Sequence, residues 1–258
     1  MGILNVTPDS FSDGGRFADH ALAAAHGTAL ARAGAAVIDV GGESTRPGYT
    51  PVADEEQIRR TVPAIAILRQ ETDALISIDT TRSAVAEAAL AAGADLVNDT
   101  SALQEDAGLA DVIAASGCQV VLMHRFAPPR SAADRGPALA EIRDALAARV
   151  EFAQRRGIAQ DRIVVDPGIG FGTRADDVPA ILAHIEDLRS LGCPLLVGPS
   201  RKSFLQPLTE KPVGERAFGT AAAVAALTLA GVELLRVHDV AAMLDVVRVA
   251  AAIRNARQ

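Results

Sequence analysis

Short apolar segments recur along the chain, and each precedes an Ala-rich segment in which apolar residues repeat every three or four positions. The apolar segments are 2–6, 36–40, 75–79, 95–98, 120–124, 163–166, 195–198 and 234–237. Their runs of Val, Ile and Leu are nearly continuous, which is typical of strands buried on both faces. The alternation of such strands with helices predicts an α/β fold with a parallel sheet.

Eight strand–helix units in 258 residues predict one domain over residues 1–258, a (β/α)8 TIM barrel with a parallel eight-stranded core. An open, doubly wound sheet is the alternative. No linker or shift in composition divides the chain. The hydrophobic content of 49% is sufficient for a large core.

The charge balance limits the partners that we expect. A formal net charge of -7 disfavours binding to nucleic acid or to a membrane surface, because both attract basic surfaces. Cys118 and Cys193 lack the paired spacing of a zinc site and are predicted to be buried free thiols. The sequence contains neither a secretory signal nor an apolar run of about 18 residues, which predicts a cytoplasmic protein.

Polar residues stand where the predicted strands end. They are Asn5, Gly41, Gly42, Glu43, Asp79, Asn98, His124, Asp166, Ser200, Lys202, Arg236 and His238. One such residue would be explained as the cap of the following helix. In a barrel the carboxyl ends of all strands meet on one face, so this set predicts a polar site at that face.

The segment NVTPDSFSDGG, residues 5–15, follows the first predicted strand and cannot contribute to a core. Its polar groups would be costly to bury without partners, so we interpret it as a loop that closes over a polar ligand. Asp39 in the second strand is interpreted as part of a structural hydrogen-bond network, with substrate contact as the alternative. The role of His124 is left open.

Several motifs together resemble the dihydropteroate synthases of the pterin-binding barrel family. The matching segments are MGILNVTPDSFSDGG (1–15), GAAVIDVGGESTRPG (34–48), ISIDTT (76–81), NDTSAL (98–103), VVLMH (120–124), DPGIGFG (166–172), GPSRKSF (198–204) and RVHD (236–239). This ordered set extends over nearly the whole chain. The resemblance implies a (β/α)8 barrel and a transferase of folate biosynthesis.

The implied reaction joins 6-hydroxymethyl-7,8-dihydropterin pyrophosphate to 4-aminobenzoate, with Mg2+ as cofactor, and the pyrophosphate leaves before the amine attacks. The resemblance also implies a homodimer through the late helices. It leaves open whether sulfonamides inhibit the protein or are excluded by altered loops. The alternatives are a pterin-binding methyltransferase type and a catalytically idle pterin-binding paralogue.

The resemblance assigns site residues by their match to the family motifs. Pterin binding is implied for Asp79, Asn98, Met123, Asp166, Phe171 and Lys202. Aminobenzoate binding is implied for Phe11, Thr45, Arg46, Pro47, Phe171 and Ser203. The pterin ring has an edge of N–H donors beside a carbonyl acceptor, which suits carboxylates, an amide and a Lys donor.

The departing diphosphate requires cations and hydrogen-bond donors. Pyrophosphate binding is implied for Asn5, Arg46, Arg236 and His238, and catalysis for Asn5, Asp13, Lys202, Arg236 and His238. Asn5 and Asp13 are the implied Mg2+ ligands, because this ion prefers oxygen ligands. The chain departs from the family pattern at RFAPPR (125–130) and TRADDVP (173–179), both near the predicted pterin site.

Overall fold

The computed structural model describes residues 1–6, 16–43, 52–134 and 137–257, with the backbone alone for residues 16–19. Eight β-strands lie in these ranges. They are β1 (Gly2–Asn5), β2 (Val37–Gly41), β3 (Leu75–Asp79), β4 (Leu96–Asp99), β5 (Gln119–Met123), β6 (Ile163–Asp166), β7 (Leu196–Val197) and β8 (Leu234–Leu235). Each coincides with one of the eight apolar segments, so the predicted strands are confirmed.

Helices separate the strands, as the periodicity predicts. The described α-helices are α1 (Arg16–Arg32), α2 (Asp54–Glu71), α3 (Ser83–Ala91), α4 (Leu109–Ser116), α5 (Ala138–Arg155), α6 (Val178–Ala183), α7 (Gln206–Thr209), α8 (Ala217–Leu229) and α9 (Val240–Asn255). The segment after α6, Ile185–Leu191, is a 3-10 helix. None of the described helices has both the length and the hydropathy that a membrane span requires. Cys118 and Cys193 are free thiols, as predicted, but only Cys193 is buried; Cys118 is partly exposed.

All described strand pairs are parallel, and they form two sheets. Strands β1 to β6 lie in sequence order in one sheet, and β7 pairs with β8 in the other. The α/β class is therefore confirmed. The predicted continuous sheet of eight strands is not observed, because the strands are paired as one sheet of six and one sheet of two. At the joint between β6 and β7, the carbonyl of Pro194 accepts the N–H of Val165 at 2.9 Å, but Pro194, as a proline, has no N–H to donate back to β6.

Single parallel bridges nevertheless connect the two sheets at both joints. Val165 pairs with Leu195, and Gly2 pairs with Val237. At the second joint the N–H of Ile3 donates to the carbonyl of Val237 at 3.1 Å, and the N–H of Val237 donates to the carbonyl of Met1 at 2.9 Å. β8 therefore lies beside β1, although the two are farthest apart in the strand order.

The strands have one face toward the helices and one inner face. A separate apolar cluster at the amino ends of the strands comprises Val37, Leu96, Val121, Val164 and Leu196, with Met1 and Leu234 packed against it. We call it the inner apolar layer. Two positions further along the same strands stand Ile3, Asp39, Asn98, Met123, Asp166, Gly198 and Arg236. Because side chains alternate between faces, these residues share the inner face, which changes from apolar to largely polar toward the carboxyl ends.

Candidate active site

Strand register places the predicted polar residues side by side. Asn5 of β1 is the partner of Gly41 in β2, Gly41 is the partner of Asp79 in β3, and Asp79 is the partner of Asn98 in β4. Further round, Met123 of β5 is the partner of Asp166 in β6. The strand ends therefore meet at one face, as the sequence predicted.

An ion-pair network crosses the inner face. The Arg236 guanidinium donates from Nε to Asp39 Oδ2 at 2.6 Å and from Nη2 to Asp79 Oδ2 at 2.9 Å. The Asn98 amide donates to the same Asp39 oxygen at 3.1 Å. Asp39 is fully buried. It thus lies in the hydrogen-bond network that the sequence analysis favoured for it, with two predicted ligand-binding residues as its partners.

The two carboxyl groups at the ends of β3 and β6 ionise less readily than usual. Burial and, to a smaller extent, repulsion from Asp39 raise the pKa of Asp79 to about 7, against the opposing effect of the Arg236 guanidinium. Burial also raises the pKa of Asp166 to about 6, against the opposing effects of the Gly168 N–H and the Lys202 ammonium. The Gly168 N–H donates to Asp166 Oδ1 at 2.7 Å.

Lys202 follows β7 and lies against the segment that follows β6. Its Nζ atom is 4.2 Å from the centroid of the Phe171 ring, a cation–π contact. Gly170 has a φ of +85°, and a Cβ at that position would stand 3.1 Å from Lys202 Cδ. Burial lowers the pKa of Lys202 to about 8, although Asp166 opposes this. The ammonium therefore remains a cation near neutral pH.

The loop that carries Lys202 is held by a residue that sequence reasoning missed. Arg216 is buried at the start of α8. Its guanidinium donates to the carbonyls of Arg201 (3.1 Å), Lys202 (3.2 Å) and Lys211 (3.1 Å), and to Gln206 Oε1 (2.9 Å). An Arg at the start of a helix carries no sequence signal for such contacts, because its acceptors are mostly backbone atoms placed by the fold.

His238 follows β8 and is paired with Ser200, which follows β7. The Ser200 Oγ atom lies 2.9 Å from His238 Nδ1 and accepts the backbone N–H of His238 at 3.2 Å. Burial, together with the cations Arg201 and Arg236, lowers the pKa of His238 to about 4. The imidazole of the free protein is therefore neutral at pH 7.

The segment RFAPPR, which departs from the family pattern, is attached to the site. The N–H of Phe126 donates to the carbonyl of Phe171 at 3.1 Å, and the N–H of Arg130 donates to the carbonyl of Gly172 at 2.8 Å. The Arg125 guanidinium pairs with Glu105 in the loop after β4. The departure therefore supports the loop that carries Phe171.

The remaining predicted residues are placed as follows. Asn5 is exposed at the end of β1, and Ser203 is exposed next to Lys202. Phe11, Asp13, Thr45, Arg46 and Pro47 lie outside the described residues. Within the described ranges, no group of three or more His, Cys, Asp or Glu side chains is arranged to hold a metal ion.

Comparison with known proteins identifies the family. The model of the pterin binding enzyme family matches residues 1–238. The dihydropteroate synthase of Synechocystis sp. is 43% identical over 257 residues, which are 98% of this chain and 89% of the relative. Two solved structures of Xanthomonas albilineans dihydropteroate synthase are also similar. One contains 4-aminobenzoic acid (44% identity, TM-score 0.92), and the other contains 7,8-dihydropteroate (41% identity, TM-score 0.89).

Both structures cover 98% of this chain, and the chain covers 92% of each of them. The match thus extends over nearly the whole chain, including the polar face at the strand ends. The chain belongs to the dihydropteroate synthase family of pterin-binding enzymes.

Proposed function

We propose that this protein is a dihydropteroate synthase, a transferase that condenses 6-hydroxymethyl-7,8-dihydropterin pyrophosphate with 4-aminobenzoate to give 7,8-dihydropteroate and pyrophosphate in folate biosynthesis. The observation that carries the proposal is the polar inner face, on which two carboxyls of raised pKa, an amide, a Lys and an Arg lie together. The ligands of the Xanthomonas albilineans relatives, 4-aminobenzoic acid and 7,8-dihydropteroate, are a substrate and the product of this reaction.

We further propose that the two sheets are one closed (β/α)8 barrel and that residues 1–258 form one domain. The strand register supports closure. A path that starts at Gly2 and moves from each strand to the residue paired with it in the next strand, from β2 to β8, leads to position 229. The bridge that joins β8 back to β1, however, pairs Gly2 with Val237. The difference is eight residues, which is the shear expected of a TIM barrel.

Pterin recognition would use the atoms that the protein leaves available. Among the described residues, hydrogen bonds involve only Oδ2 of Asp79 and Oδ1 of Asp166, and the Asn98 amide nitrogen is engaged by Asp39. The second oxygen of each carboxyl and the Asn98 oxygen can therefore accept the ring N–H donors. The Lys202 ammonium would donate to the ring carbonyl. Met123 and Phe171 would contact the ring faces.

The chemistry would begin at the methylene carbon of the pterin. Its bond to the diphosphate oxygen breaks with the electron pair on oxygen, and the cation left behind is stabilised by the Asp79 and Asp166 carboxyls. The 4-aminobenzoate nitrogen then forms the new C–N bond and releases one proton. Arg236, with Lys202 beside it, would bind the leaving diphosphate more tightly as its charge grows. His238, Asn5 and Arg46 would complete this diphosphate site.

We place 4-aminobenzoate against Phe171 and Ser203, with Phe11, Thr45, Arg46 and Pro47 on the two loops that would close over it. A closed site would keep water from trapping the pterin cation. A sulfonamide resembles this substrate in shape and could compete with it for the same site unless the loops exclude it. Whether it does so in this protein is decided by an inhibition assay.

Mg2+ is proposed as the cofactor, with Asn5 and Asp13 as its protein ligands. The exposed amide of Asn5 at the end of β1 fits an ion that takes oxygen ligands and keeps several waters. The ion would neutralise part of the diphosphate charge.

We also propose a cytoplasmic homodimer. Phe218 at the start of α8 is 91% exposed, and Val249 and Ile253 of α9 are exposed as well. Such an apolar surface on the late helices favours self-association. Light scattering that gives the mass of one chain at micromolar concentration would exclude the dimer.

The test of the function is direct. Purified protein with the dihydropterin diphosphate, 4-aminobenzoate and Mg2+ should form dihydropteroate and pyrophosphate in equal amounts. No dihydropteroate should form when 4-aminobenzoate is replaced by benzoate, which lacks the amine. Pterin binding by calorimetry without any turnover would instead indicate the idle paralogue.

A further inference from the structure

Ser200 and His238 form a pair at the ends of adjacent strands, and their geometry fixes where the protons lie. Ser200 follows β7 and is 5% exposed. Its hydroxyl oxygen accepts the backbone N–H of His238 at 3.2 Å and lies 2.9 Å from Nδ1 of the same residue. The two contacts to one neighbour leave little freedom to the Ser200 side chain.

The donor and acceptor inventory then distinguishes the two tautomers. A hydroxyl has one hydrogen to donate and two lone pairs, and a backbone N–H can only donate. If Nδ1 of His238 carried a proton, the Ser200 oxygen would accept twice and its buried O–H would need another acceptor. The described residues give it none. With Nδ1 unprotonated, the hydroxyl donates to it while accepting the backbone N–H, so the Ser200 hydroxyl and the Nδ1 atom are both satisfied.

We propose that Ser200 is a positioning residue that fixes His238 as the neutral imidazole with its proton on Nε2, so that His238 presents a neutral N–H donor to the diphosphate. The second half of this inference rests on the proposed function. The reaction then needs no proton from His238, and the positive charge at the diphosphate comes from other groups, Arg236 and Lys202 among them.

The surroundings of His238 agree with a neutral ring. The groups that act on its charge are the cations Arg201, Arg236 and Lys202 and one anion, Asp239. Asp239 is itself paired with Arg201, with the Nη2 and Oδ1 atoms 2.6 Å apart. Burial and the cations lower the pKa of His238 to about 4 and Asp239 opposes them, so the ring stays neutral as the pH falls toward 5.

The tautomer is measured directly by nitrogen NMR of ¹⁵N-histidine-labelled, ligand-free protein, with the His238 signals assigned by their loss in H238Q. We expect Nδ1 without a proton and Nε2 with one at pH 7. S200A should give a mixture of both tautomers, and S200T, which keeps the hydroxyl, should restore the wild-type signals. A wild-type ring with the proton on Nδ1, or charged at pH 7, would overturn the proposal.

The second part of the proposal, that Nε2–H of His238 donates to the diphosphate, is tested by substitutions that place an amide nitrogen where Nε2 or Nδ1 of the ring would lie. The amide of Gln reaches the place of Nε2, whereas that of Asn reaches the place of Nδ1, so H238Q should keep a lower KM for the pterin diphosphate than H238N. S200A should raise this KM about fivefold with little change in kcat, because one oriented hydrogen bond is lost. S200T should return to the wild-type KM.

Equal KM values for H238Q and H238N would refute the use of Nε2–H. A wild-type protein without turnover would refute the proposed function, and the NMR result would still decide the tautomer. Circular dichroism and the melting temperature of each variant separate a folding defect from either result.

Discussion

The two ends of the inner face lie on the same strands, two residues apart, and have opposite character. Leu96, Val121, Val164 and Leu196 at the amino ends form a buried apolar layer, whereas Asn98 and its neighbours at the carboxyl ends hold a charged network. The backbone is the same at both ends, since each strand continues through both layers. The difference therefore lies in the side chains: one layer stabilises the fold, and the other has polar groups that only a ligand would use fully.

The largest loss of activity and stability is expected from removing the positive charge of Arg236, which forms ion pairs with two carboxylates of the polar layer. R236M leaves Asp39 and Asp79 without their guanidinium, so turnover should fall about a hundredfold to a thousandfold, and the free energy of unfolding should fall by about 3 to 5 kcal/mol at pH 8. The loss of stability should be smaller at pH 6, because Asp79 can take up a proton. Steady-state kinetics and urea unfolding at both pH values measure this. Equal loss at the two pH values would contradict the ion-pair network.

Two substitutions in β4, one in each layer, distinguish the roles of the two layers. L96A creates a cavity in the inner apolar layer and should lower the free energy of unfolding by about 2 to 5 kcal/mol, with pterin affinity unchanged. N98A on the same strand should weaken pterin binding about tenfold or more, with a smaller loss of stability. Calorimetric titration and urea unfolding of both variants provide the comparison. The distinction fails if L96A weakens binding as much as N98A does.

The raised pKa of Asp166 predicts how stability depends on pH. In the folded protein this carboxyl keeps its proton up to about pH 6, whereas in the unfolded chain it ionises near 3.8. Folded protein therefore binds more protons between these values, and the stability that Asp166 contributes at low pH is lost as the pH rises from about 4 to about 6.

D166N has no titrating group at this position. Between about pH 4 and pH 8, wild-type protein should lose about 3 kcal/mol of unfolding free energy more than D166N does, as urea unfolding across this range measures. V164A, in the apolar layer of the same strand, serves as the control, because it removes no titrating group and its pH dependence should match wild type. Parallel pH curves for D166N and wild type would show that Asp166 ionises normally.

The smallest change in pterin affinity is expected from substituting Gly170, which lies against the Lys202 side chain. Gly170 and Gly157 have φ values of +85° and +88°, so Ala at either position should cost a similar amount, about 1 to 2 kcal/mol of stability. A Cβ at Gly170 would press on Lys202 Cδ at 3.1 Å, whereas at Gly157 it would meet Ala114 at an ordinary 3.9 Å. In calorimetric titration, G170A should therefore weaken pterin binding about threefold to tenfold, and G157A should not. Equal affinities would mean that Lys202 moves aside freely.

The positions of the strands and of the polar residues at their ends could be predicted from the sequence, because both are local patterns. The division into sheets of six and two strands could not. At the joint between β6 and β7, the carbonyl of Pro194 accepts the N–H of Val165 at 2.9 Å, but Pro194 has no N–H to donate in return. Five predicted site residues, Phe11, Asp13, Thr45, Arg46 and Pro47, lie outside the described ranges, and their roles stay predictions.

The sequence by itself determined which residue types stand at the end of each strand, and through its motifs the family. Only the tertiary structure decided how those residues pair. Arg236 meets Asp39 across 197 positions and Asp79 across 157, and Ser200 meets His238 across 38. No local pattern encodes such partners, because strand register and closure bring them together. The charge of each group follows from those partners and from burial, so the raised pKa of Asp79 and the neutral ring of His238 are properties of the fold.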